Sequence, residues 1–271
     1  MRCVHPHALA SERGASTWLS ALPLSSHGFH LPKSAFRDAL HLRYGWTPPS
    51  LPSQCACGKA FDCSHAMSCP TGGFPTIRHN ELRDLCAQVL TEVCHNVATE
   101  PTLEPLQGES FRLASTSTAD GARLDIAASG YWGGRFERTF FDVQVCNPLV
   151  QSNAPSRIQS VCSRYERQKR RQYEERIREV EHASFCPLIF STSGGAGPAA
   201  TSFLKRLADR LSEKKDEPYS ITMGWLRCRV GFALTRAAVM CLRGSRSRVG
   251  SPQLLVEPAL AFSEGRLQVS D

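Results

Sequence analysis

Two aspartates sit alone inside apolar, β-prone runs. Asp125 lies in Arg123-Leu124-Asp125-Ile126, and Asp142 in Phe140-Phe141-Asp142-Val143-Gln144-Val145. The segment between them, Ser129-Gly130-Tyr131-Trp132-Gly133-Gly134-Arg135, reads as a turn. Two adjacent strands, each presenting one acid, can place two carboxylates on one Mg²⁺ or Mn²⁺, cations that prefer hard oxygen ligands. Such a cation polarises a phosphate, helps ionise an attacking water and stabilises the leaving oxygen. Glu81, early in a helix beginning Arg78-His79-Asn80, is a candidate third acid. Lys169 is a candidate cation for the developing charge, and Tyr173 shares its helix face. Arg78, His79, Arg170, Arg171 and Tyr173 are candidate contacts to nucleic acid. Each has a plainer reading. A lone aspartate commonly makes a salt bridge or caps a turn, as Asp120 before Gly121 is expected to do. Seven Arg/Lys and five Glu between Arg164 and Glu181 also describe a solvated, salt-bridged helix face.

A second set of residues has metal-ligand spacing. Cys55-Ala56-Cys57 is followed by His65 and then Cys69. Three thiolates and an imidazole make a tetrahedral Cys₃His zinc site with no position left for water, hence a structural one. Gly58, Pro70, Gly72 and Gly73 permit the tight turns such a knuckle needs. Cys63 is a spare thiol that could replace a ligand, and scattered thiols beside a surface histidine are the bland alternative. The isolated Cys86, Cys94, Cys146, Cys162 and Cys186 fall on apolar faces and read as core thiols.

The elements that must position these residues follow from periodicity. Residues 1–17 look irregular and frayed. Short helices are expected over Thr17–Leu22 and Pro32–Tyr44, and the proline-rich stretch from Trp46 to Pro52 marks a linker. A strong helix runs from about Arg78 to His95, with Leu82, Leu85, Cys86, Val89, Leu90 and Val93 at helical spacing. Strands are expected near Val97–Glu100, Arg123–Ala128 and Thr139–Val145, with a polar loop over Gly108–Thr118. A charged helix from Ile158 to Glu181 precedes a strand over Cys186–Ser191. Helices over Pro198–Lys214 and Thr222–Leu242 close the pattern, and the chain beyond Arg243 reads as flexible. The order helix, three strands, helix, strand predicts an α/β fold with helices covering both faces of the sheet. The division expected is an N-terminal helical segment and linker at 1–52, the zinc knuckle at 53–74, the core at 75–216, a C-terminal helix at 217–247 and a tail at 248–271.

The bulk numbers bound these expectations. At 271 residues, 41% hydrophobic and 8% aromatic, the chain can build a packed core of one large or two modest domains. Its net charge of +7 favours a polyanionic partner. No apolar run reaches the roughly 18 residues of a spanning helix, and the N-terminus has no apolar leader core, so no membrane partner is expected. The twelve cysteines then read as thiols of a reducing compartment, nuclear or cytoplasmic.

The motif order resembles a known family. A Cys-x-Cys…His…Cys knuckle precedes Arg78-His79-Asn80, then Arg123-x-Asp125, then Phe141-Asp142-Val143-x-Val145, then a helix with Lys169-x-x-x-Tyr173. This is similar to the C-terminal part of reverse-transcriptase polyproteins of non-LTR retrotransposons, which carry a zinc knuckle and a restriction-like endonuclease of the PD-(D/E)XK class. The strings Phe36–Trp46 and Cys241–Ser247 look like parts of such element proteins, so the resemblance spans about residues 18–247. It implies a PD-(D/E)XK-like core, Asp125 and Asp142 as the two motif acids, and structural zinc with catalytic Mg²⁺ or Mn²⁺. It also implies DNA as partner, with element RNA as a second, and membership of a longer polyprotein. Leu124 stands where the family has proline, and Gln144 where many members have lysine. In the retrotransposon branch that lysine comes from the following helix, the place of Lys169. No Tyr-x-Asp-Asp string occurs, so no polymerase is expected. Three readings stand: a DNA-nicking enzyme, a catalytically inactive zinc-containing nucleic-acid-binding module, and an unrelated interaction domain with core thiols.

Overall fold

The computed structural model describes residues 12, 14–150, 152–153 and 157–246. The expected tail at 248–271, Ser247, most of residues 1–13 and Cys3 lie outside the described residues. Helices α1 (Thr17–Ser20) and α2 (Lys33–Tyr44) lead into the short α3 (Cys63–Ser68) and the long α4 (Phe74–Val93). Strands β1 (His95–Thr99), β2 (Ile126–Ser129) and β3 (Arg138–Cys146) follow. After them come α5 (Ile158–Glu179), β4 (Ser184–Ser191), α6 (Pro198–Lys215) and α7 (Tyr219–Arg243).

The fold is mixed α/β around a four-stranded sheet of order β1-β2-β3-β4. The first two pairings are antiparallel, and β3 pairs in parallel with β4 through the α5 crossover. Alternation along β3 divides the core. Phe141 and Val143 pack with Leu82, Cys86 and Leu90 of α4, Phe203 and Leu207 of α6, and Leu226 of α7. Phe140, on the other face, packs with Ile177, Phe185, Leu124 and Ala127 under α5. Helices therefore cover both faces, as the sequence pattern predicts. The helix α4 begins four residues earlier than expected, because Gly73 in the left-handed conformation (φ 72°) precedes it and Pro75 suits its first turn.

The polar loop between β1 and β2 is strapped to α5. Arg176, fully buried, donates to the carbonyls of Glu104, Ser117 and Ala119. Glu175 accepts from the backbone N–H groups of Arg112 and Leu113. The N-terminal approach is less frayed than expected from Glu12 on. Glu12 is buried and accepts from the Ser191 and Ser193 hydroxyls at the end of β4. Trp18, Phe29 and Ala39 pack on Phe232 of α7, while Ala66 and Met67 of α3 pack on Ala238 and Cys241 of the same helix. One long helix thus carries both the N-terminal segment and the knuckle. No described helix is long and apolar enough to cross a membrane.

Candidate functional site

The knuckle is built from two local devices. Cys55 and Gly58 close a turn (Gly58 N–H to Cys55 O, 2.8 Å), with Gly58 at φ 86°, and this turn presents Cys55 and Cys57. Asp62 then caps α3 by accepting from the His65 N–H at 2.6 Å. His65 lies within α3, and Cys69 caps its C-terminal end with its N–H bonded to His65 O, which brings the two side chains to one side. The ligand atoms of Cys55, Cys57, His65 and Cys69 all lie within 4.8 Å of one another. The Cys55 and Cys69 sulfurs are 3.8 Å apart, and Cys57 Sγ is 3.4 Å from His65 Nε2. A tetrahedron with metal–sulfur bonds of ~2.3 Å has a sulfur–sulfur edge of about 3.8 Å. A disulfide needs ~2.05 Å. The donor set and its spacing therefore fit zinc, and the cluster could hold one structural ion.

Bonding around the cluster suits metal ligation. Burial pushes the Cys55 and Cys69 thiols up, but at Cys69 hydrogen bonds with the Thr71 side chain and backbone, Cys55 and Cys57 together bring it below its ordinary value. Thr71 carries no sequence signal for that role. Cys63 is outside the ligand set, and burial and then Asp62 push its thiol up. The knuckle is tied to the core by Asn147, which donates to Ser64 O (3.0 Å) and Ser68 Oγ (2.9 Å) just past β3.

The two aspartates meet at the sheet. The β2–β3 register pairs Ile126 with Phe141, so one step further Asp125 faces Asp142. Asp125 lies just before β2 rather than within it. Its Oδ2 accepts from the Val143 backbone N–H at 2.6 Å, and its Oδ1 is 2.9 Å from His79 Nε2. Asp142 is 6% exposed in mid-strand, with Lys169 Nζ 2.9 Å from its Oδ2. That approach is off the hydrogen-bond direction, so Oδ2 is a buried oxygen with an ion-pair partner but no aligned donor. Burial pushes the Asp142 carboxyl up, partly offset by Lys169, while the nearby Asp125 adds to the rise. The hydrogen bond to Asp125 holds His79 above its ordinary value against the opposing effect of burial. Tyr173 lies under Lys169, whose Nζ is 5.7 Å from the ring centroid, and beside Phe185. Burial and the Asp142 charge push its phenol up.

Four residues singled out in the sequence, Asp125, Asp142, Lys169 and His79, thus converge with Tyr173 alongside. Others do not join them. Glu81 is exposed and its charged neighbour is Arg236 of α7, because two residues along a helix point about 200° apart and His79 takes the inward direction. Arg78 is no surface contact. It is 5% exposed and donates to Met67 O at 3.1 Å, pinning the knuckle helix to α4. Arg170 pairs with Glu174 one turn on, and Arg171 is exposed. Gln144 is half-buried on β3, two residues past Asp142.

The chain matches no protein-family model, and no curated protein is similar to it.

Proposed function

We propose that this chain is a retroelement-type, metal-dependent DNA endonuclease domain with a restriction-like PD-(D/E)XK core, working as part of a longer reverse-transcriptase polyprotein. The observation that carries the reading is the convergence of Asp125 and Asp142 on facing strand positions, with Lys169 reaching Asp142 from the next helix. The order helix, three strands, helix, strand supports the same core. The unaligned buried Oδ2 of Asp142 and the remaining lone pairs of Asp125 suit a hard cation. Asp125 and Asp142 would hold Mg²⁺ or Mn²⁺, without Glu81. When bound, that ion supplies Lewis-acid polarisation of the phosphate and a more acidic water.

The protein's own groups have distinct tasks. The Val143 N–H and His79 fix the Asp125 carboxylate from two sides, so its orientation is set before substrate arrives. Lys169 carries its charge on a helix and leans on Tyr173, which places a cation beside the acids where a phosphate's charge would grow. Arg164, Arg167 and Arg171 are exposed on α5, but at two and five residues from Lys169 they point away from the acidic pair. The zinc knuckle is pinned to the core by Arg78 and Asn147. A second reading, binding without hydrolysis, rests on Gln144 in place of a strand-borne lysine.

The deciding experiment is nicking of supercoiled plasmid with Mg²⁺ or Mn²⁺ by wild type, Asp142→Ala and Lys169→Ala. Nicking by wild type that both substitutions abolish supports the enzyme. Metal-independent activity, or equal activity in all three, removes it. Salt-sensitive DNA binding with no Mg²⁺ uptake by calorimetry favours the binding module.

A further inference from the structure

Far from the acidic pair, α2 ends in exposed aromatic rings. Tyr44 and Trp46 are 39% and 56% exposed, yet their rings stack on each other with centroids 4.8 Å apart and planes 25° from parallel. Left-handed Gly45 (φ 67°) makes the turn between them, and the Trp46 N–H donates to His41 O at 2.9 Å. The His41 ring meets Trp46 edge-on at 5.7 Å, and the Arg43 guanidinium lies 5.6 Å from the Tyr44 centroid. Two large rings are thus held in a stack at the surface, with more than half of Trp46 exposed.

The charge beside this stack has one sign. Lys33, Arg37, His41 and Tyr44 follow one another at helical spacing down a single side of α2, with Lys33 and Arg37 exposed. The sole acid of the helix, Asp38, is buried, bonded to Arg243 through both carboxylate oxygens and 4.0 Å from Arg37 Nε. A cationic stripe running to an aromatic stack is the chemistry of a single-stranded nucleic-acid track: phosphates along the cations, a base on the ring. Duplex DNA, its bases already stacked, has no use for the rings.

We propose that α2 and the turn after it, with Tyr44 and Trp46 as the stacking platform, form a binding site for single-stranded nucleic acid. The site is separate from the Asp125–Asp142 centre and does not depend on hydrolysis there.

The test uses the full chain and fluorescence anisotropy with a labelled thymidine oligonucleotide of about 15 nucleotides, its uridine RNA counterpart and a duplex of equal length. The Tyr44→Ala/Trp46→Ala protein is expected to bind the single strands roughly tenfold to hundredfold more weakly, and the duplex as wild type does. Weakening on either single strand supports the platform, and unchanged affinity for both overturns it. If melting shows the double variant unfolded, Trp46→Phe decides. Oligonucleotide quenching of tryptophan emission must then fall while affinity is kept, and undiminished quenching overturns the proposal.

Discussion

The knuckle and the acidic pair both gather titratable side chains, but they neutralise them in different ways. At the knuckle, three sulfurs and an imidazole face inward within 4.8 Å of one another. At the sheet, each carboxylate already has a protein cation or donor: His79 and the Val143 N–H for Asp125, Lys169 for Asp142. The first arrangement is made coherent by a metal, and the second is coherent before one arrives. Under the proposed function, the knuckle's ion would be structural and that of the acidic pair exchangeable. The knuckle should therefore fail as a fold when its ion is removed, and the acidic pair should fail only as chemistry.

The largest expected effect breaks the comparison at the knuckle. Purified without chelator, the protein should carry one zinc. Cys69→Ser should lose it and destabilise the chain by more than about 4 kcal/mol, the scale of lost structural metal. Zinc analysis together with thermal melting checks this. A zinc-free protein that melts like wild type would make the knuckle a coincidence of thiols. By contrast, Asp142→Ala should retain the fold and lose nicking by at least ~10²–10³-fold, comparable with removing one electrostatic contact to a transition state. If Asp142→Ala unfolds instead, the two regions are alike in being structural.

Arg78→Met gives a smaller effect and reads the coupling between them. The guanidinium joins α4, which carries His79, to the carbonyl of Met67 in the knuckle helix. Its loss leaves that buried carbonyl short of a donor, worth about 1–3 kcal/mol. Hydrogen exchange should show the loosening in α3 before β3. Equal loosening throughout would mean that the knuckle is not a separately held unit.

Much of this was legible in sequence, for reasons that also explain what was not. The apolar, β-prone run around Phe140–Val145 located β3, and the Cys–His spacing located the knuckle, because both signals are local. The Asp125–Asp142 opposition needed only a hairpin register. Glu81 was misplaced although the information was present. The apolar residues Leu82, Cys86 and Leu90 fix the phase of α4, and that phase turns His79 inward and Glu81 outward. Arg78 was misread as a phosphate contact because its partners, Met67 O and Cys241 Sγ, are tertiary, and the latter lies 163 residues away. The Val143 N–H is invisible in sequence for the same reason, whereas Thr71 lies two residues from Cys69 and its residue type alone gives no signal. Asp125 falls just outside β2, where the backbone from Arg123 to Asp125 bonds to the segment Glu100–Thr102 rather than continuing the β2 ladder.

The smallest effect separates the regions by the sign of their pH dependence. His79 has a folded pKa above its unfolded value of ~6.5, so the folded state binds the extra proton more tightly. Its stabilising contribution is complete below about 6.5 and is lost as pH rises through the folded value. Asp142, also raised, acts in the same direction from about pH 4 upward: its contribution is present at low pH and lost through its own folded value. Zinc ligation runs the other way, since thiolates and neutral imidazole must shed protons to bind metal, so the knuckle strengthens with pH. At saturating zinc, stability measured from pH 6 to pH 8 should carry a downward component of less than about 1.4 kcal/mol per pH unit from His79. His79→Gln should remove that component and leave the knuckle's upward one. The His79 ring proton, followed by NMR, should titrate above ~6.5 and move down in Asp125→Asn. A ring that titrates at its ordinary value in both proteins would mean that Asp125 is not held by His79, and the acidic pair would then lose the preorganisation that distinguishes it from the knuckle.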